Sequence, residues 1–102
     1  MNIWDRGNKS EEVWKQPWPD NLEEAVNTIL QNISKEQRET VLNTGEKDIH
    51  LLHFSLGSFI RTNFGLWEGN WELMESCHEE DPYRTADTIV RAVWKVLQEQ
   101  KS

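Results

Sequence analysis

The stretch HFSLGSFIRTNFGLWEGN, residues 53–70, sets a helix-sized apolar run against an aromatic, glycine-rich turn. His53, Gly57 and Arg61 fall at i, i+4 and i+8, a spacing that stacks them on one helical face. Upstream, Ile49, Leu51 and Leu52 join Phe54, Leu56, Phe59 and Ile60 over a wide arc. The pattern predicts a helix from about Asp48 to Asn63. A helix apolar nearly all round belongs at the centre of its domain. Gly57 in its middle costs up to about 1 kcal/mol relative to Ala. Close approach of a neighbouring helix or a ligand would justify that cost. Gly65 ends the helix, and Phe64, Leu66 and Trp67 fill the turn.

The flanks carry helix signals as well. Asp20 reads as an N-cap, with Glu23 completing a capping-box pattern. Leu22, Ala25, Val26, Ile29, Leu30 and Ile33 then trace one helical face. Ser34 and Gln37 open a second, short helix that carries Val41 and Leu42 and stops near Gly45. Asn70 caps a fourth through about His78, with Trp71, Met74 and Cys77 on its apolar side. Asp81-Pro82 pairs an N-cap with proline at the first helical position. The last helix is expected to bury Tyr83, Ala86, Ile89, Val90, Val93, Trp94 and Leu97. Lys95 and Lys101 near its end suit the helix dipole. No run alternates long enough to predict a strand. The expected fold is all-α: a small compact bundle of four to five helices over residues 20–102. Residues 1–19 form an extended N-terminal arm that holds Trp4, Trp14 and the Pro17-Trp18-Pro19 triplet.

Length and charge bound the function. A chain of 102 residues makes one domain with one modest core. A net charge of −7 disfavours direct binding to a phosphate backbone or an anionic membrane and favours a basic protein partner. The single cysteine, Cys77, excludes an intrachain disulfide and fits a reducing compartment. No signal-peptide pattern opens the sequence, and no apolar run approaches the ~18 residues of a membrane span. A cytoplasmic protein is expected.

The segments WPDNLEEAV, HFSLGSFIRTNFGLW and EEDPYRTADTIV together resemble an uncharacterised bacterial domain family, a domain of unknown function. The likeness runs from Trp18 to Leu97. It departs from the family pattern at Thr62, where Asn is usual, and again in the acidic WELMESCHEE after Asn70. It implies a helical framework and no particular activity.

Catalytic patterns are weak. His50 and His53, with Cys77, His78 and Glu79, lack the paired spacing of a zinc site. Cys77 sits among acids, which raise a thiol pKa. Ser55 and Ser58 lack the nucleophile-elbow pattern, and no P-loop or dinucleotide fingerprint occurs. No enzyme, cofactor or metal is expected.

Two binding readings remain. Between Glu68 and Asp81 the chain has six acids and no Lys or Arg. Glu68, Glu72, Glu75 and Glu79 would form one negative stripe on a continuous helix, with Trp67 or Trp71 as aromatic anchor. That pattern suits a small acidic interaction module, of immunity or antitoxin type, covering a basic toxin or nuclease. The alternative is a small-molecule or anion-binding domain using His53, Arg61 and Asn63, with Arg61 gripping a carboxylate or phosphate. Against it stands a structural role, with Arg61 tied to turn carbonyls or Glu68 and Gly57 a packing contact. A homodimer joined through the Trp-rich arm is a third possibility.

Overall fold

The computed structural model describes residues 18–101. Most of the expected arm, with Trp4 and Trp14, lies outside the described residues, and so does any dimer contact it makes. The described residues form helices, turns and short connections, with no strand.

Helix α1 spans Leu22–Asn32. Its cap is Asn21 rather than Asp20: the Asn21 side chain accepts from the Glu24 N–H. The amide group of Asn21 also donates to Asp20 and Glu24, so one residue serves both sides of the helix start. The Leu22 N–H, another orphan donor of the first turn, bonds Ser76 Oγ at 2.9 Å. Helix α2, Lys35–Leu42, opens on the expected capping box between Ser34 and Gln37.

The expected continuous helix over 48–63 divides in two. Glu46–Phe54 forms a 3-10 helix, and α3, Leu56–Asn63, follows a break at Ser55. Three residues per turn stack Ile49 over Leu52, and both are buried. The same period stacks Leu51 over Phe54 on the opposite side, and both are exposed. The tighter winding sorts them into an inward and an outward stripe.

A left-handed Gly65 ends the next connection and opens the 3-10 turn Leu66–Glu68, which a left-handed Gly69 closes. Helix α4, Trp71–Ser76, is shorter than expected and stops at Cys77. Its buried residues are Leu73 and Met74, whereas Trp71 projects outward, 68% exposed. Asn70 is buried at this junction. Its amide donates to the carbonyls of Pro19 and Phe64, and its oxygen accepts from the Leu73 N–H.

Helix α5, Pro82–Lys101, starts at the Asp81-Pro82 signal, with the Tyr83 N–H donating to Asp81 Oδ1 at 2.7 Å. It touches α1, α2, α3, α4 and the long 3-10 segment. The centre of the domain is therefore α5, not the 48–63 region. Ala86, Ile89, Val90, Val93 and Leu97 form its buried stripe. Trp94 Nε1 and Gln98 Nε2 donate to the carbonyls of Thr44 and Leu42, so α5 satisfies groups left open at the end of α2. Tyr83, expected in this stripe, is instead half-exposed. It sits in the first turn of α5, above the bundle's side.

No helix among the described residues is long and apolar enough to cross a membrane.

Candidate functional site

The break at Ser55 does not scatter His53, Gly57 and Arg61. A Cβ placed on Gly57 would meet Arg61 Nη1 at 3.3 Å, the Leu52 carbonyl at 3.6 Å and His53 Nδ1 at 3.7 Å. The missing side chain thus leaves a gap no larger than a methyl group, tight against the guanidinium and also bordered by an imidazole and one backbone carbonyl. That carbonyl already accepts from the Ser55 N–H.

Arg61 is 8% exposed, and its Nη1 is buried with no hydrogen-bond partner among the described residues. Among the described residues it makes no ion pair and does not bond Glu68 or a turn carbonyl, in contrast to the structural role considered above. Its main neighbour is Tyr83, whose ring centre lies 4.6 Å from Cζ. A cation–π contact of this kind contributes about 0.5–2 kcal/mol. Burying a charged group costs on the order of several kcal/mol after relaxation. The Tyr83 contact therefore leaves much of the cost uncompensated.

Tyr83 also links a run of aromatic rings. His53 lies 5.8 Å from it, and Trp67 packs edge-on at 5.2 Å. Phe54 packs edge-on to His53 at 5.5 Å. Phe54 is 75% exposed, Trp67 55% and Tyr83 48%. Three elements build this cluster: the end of the 3-10 segment, the turn after α3 and the first turn of α5. Its sequence signal was incomplete, because Tyr83 lies 22 positions beyond Arg61 and satisfied the helical period of α5 equally well as a core residue.

Asn63 does not join the group; its amide bonds the Phe59 carbonyl one turn back at 2.8 Å. The four glutamates do not form one helical stripe. Glu68 lies on the 3-10 turn, Glu72 and Glu75 on α4, and Glu79 beyond its end, with Gly69 and a left-handed His78 interrupting the winding. Short α4 nevertheless leaves Trp71 standing between two open grooves. One, of about 690 Å³, is lined by Trp71, Met74, Glu75, His78, Glu79 and Glu80. The other, of about 410 Å³, includes Trp18, Asp20 and Glu72.

Cys77 is buried, and its thiol is pushed up to about 11, first by burial and then by the nearby Glu79 carboxylate. A thiol held neutral is a poor nucleophile. Among the described residues no three His, Cys, Asp or Glu side chains gather as a metal-binding group.

No curated protein and no solved structure matches the chain. A family model described as "Domain of unknown function (DUF6794)" matches residues 18–97, the span that holds every residue of the Arg61 cluster. With about four-fifths of its length inside that match, the protein belongs to this family of domains of unknown function.

Proposed function

We propose that the domain is a binding module that recognises an anionic group at Arg61. The observation that carries this reading is the buried, unpartnered Arg61 Nη1 facing the space at Gly57. A carboxylate or phosphate oxygen there would supply the missing acceptor, and charge-assisted hydrogen bonds are about twice as strong as neutral ones. His53 Nδ1 borders the same space and offers a second donor when its ring is suitably protonated. Tyr83 covers the guanidinium and the gap at Gly57 is no larger than a methyl group, so ligand entry requires the Tyr83 ring to swing aside and the Arg61 head group to shift. An exposed ring in the first turn of a helix can do so on a fast timescale.

Titration of the full chain with sodium acetate and with inorganic phosphate, followed by NMR at the Gly57 amide and the Arg61 side chain, tests the reading. Saturable shifts are expected with wild type and none with Arg61→Leu. Equal shifts in both proteins, or none in either, would end it.

Trp71 favours a second reading, the acidic interaction module. A large exposed aromatic flanked by two acid-lined grooves suits a basic segment of a partner, with Trp71 as anchor and Glu72, Glu75 and Glu79 around it. An immunity- or antitoxin-type protein is the concrete form of that reading, and a cytoplasmic setting suits either. Charge reversal of Glu72, Glu75 and Glu79 should abolish capture of a basic partner from the native host. Capture that survives the reversal rules this surface out.

A further inference from the structure

We infer that the anion taken at Arg61 is a single carboxylate carried on a protein segment, flanked there by apolar residues. The inference rests on the anion-binding reading above and adds the nature of the carrier.

Three observations point to it. First, the space is walled by one guanidinium and one imidazole and also faces the Leu52 carbonyl. Such a donor set matches a monoanion. A phosphate dianion would bring more oxygens than these groups can satisfy and would meet the carbonyl with more charge. Second, the whole chain carries a net charge of −7. A free polyanion is repelled by that field, whereas one carboxylate within an apolar segment feels it least. Third, the mouth is aromatic. Phe54, Tyr83 and Trp67 are each about half-exposed or more, and they are joined through His53 and Tyr83 into one continuous run. Leu51, one 3-10 turn before Phe54, is also exposed. A buried arginine under a Tyr ring that packs in turn on His53 and Trp67 has the composition of a protein-interface hot spot. Small free anions have no use for such a rim, while the apolar neighbours of an acidic residue would cover it.

The geometry assigns separate roles. Arg61 pairs with the carboxylate, and Gly57 keeps the space open. Phe54 and Trp67 select what stands on either side. Because Phe54 and Trp67 are exposed, they can be changed without disturbing the core.

Panning random displayed heptapeptides on the full-length chain tests the inference. Enriched sequences should share an Asp or Glu beside an aromatic or aliphatic residue. In a synthetic peptide of the enriched sequence, replacing that acid by its amide should weaken binding at least tenfold. Phe54→Ser and Trp67→Ser should each weaken the peptide about fivefold or more, and by a larger factor than they weaken acetate. Gly57→Ala should weaken peptide and acetate together. If enriched peptides lack an acid, or bind Arg61→Leu equally well, the carrier is not a protein carboxylate and the inference fails. Should acetate still shift Arg61 in that case, anion recognition survives without it. If neither acetate nor any peptide perturbs Arg61, both readings fall.

Discussion

Arg61 of α3 lies beneath the ring of Tyr83 from α5, with Cζ 4.6 Å from the ring centre, and this contact stands in place of an ion pair. The arrangement makes Arg61 a residue that the folded chain tolerates rather than needs.

Arg61→Leu is therefore expected to be neutral or to stabilise the domain, by up to about 4 kcal/mol, the upper range for replacing a buried ion pair with apolar groups. Urea unfolding with a fixed m-value measures it. A loss of about 3 kcal/mol would mark Arg61 as a structural tie.

Tyr83 acts through its ring, since no hydrogen bond to its hydroxyl is seen among the described residues. Tyr83→Phe should stay within about 0.5 kcal/mol of wild type. Tyr83→Ala should cost about 1 kcal/mol, as the cation–π contact and the edge-on packing with Trp67 are lost. Thermal melts of the two variants separate ring from hydroxyl.

Asn70 holds the turn that Arg61 does not. Its side chain bonds Pro19, Phe64 and Leu73 from a buried position. Asn70→Ala leaves two carbonyls without this donor and is expected to cost about 2–4 kcal/mol. Chemical denaturation should show it as one of the most damaging single changes outside the apolar core.

Gly65 combines a left-handed backbone, φ 70°, with a stacking contact from Trp18. A Cβ at this position would fall within the indole of Trp18. Gly65→Ala should cost about 1–3 kcal/mol, and Trp18 fluorescence should report the displaced ring. Gly45, with open space around it, serves as the control: Gly45→Ala should have little effect.

Cys77 has a testable pH signature. Its folded pKa is raised above the ordinary value of 9.0 to about 11, so the folded state holds the proton more tightly than the unfolded chain. Its contribution to stability is present in full below about pH 9 and is lost as pH rises toward 11. The stability difference between wild type and Cys77→Ala should therefore shrink across that window. Alkylation by iodoacetamide at pH 8 should be slow in the folded chain and fast in urea.

The helices were legible where local chemistry acts alone. The Ser34–Gln37 capping box and the Asp81-Pro82 start need only neighbours three or four residues away, and both are found as expected. Asn21 displaced Asp20 as a cap by one position, within the reach of two adjacent residues that both favour that role. The 48–63 region misled because its apolar residues fit either a 3.6-residue or a 3.0-residue winding. The chain takes the tighter winding over Glu46–Phe54, and a linear pattern does not contain that choice.

The sequence by itself determined an all-α chain, the helix starts at Ser34, Asn70 and Asp81, and the nearness of Gly57 to Arg61, because these depend on spacing along one strand of backbone. Only the tertiary structure decided that α5 is the centre, that Asn70 ties the aromatic turn, and that Tyr83 covers Arg61. Those facts depend on which faces meet across the bundle. Among the described residues Arg61 Nη1 likewise lacks a hydrogen-bond partner because of what packs around it, which no spacing within its own helix could specify.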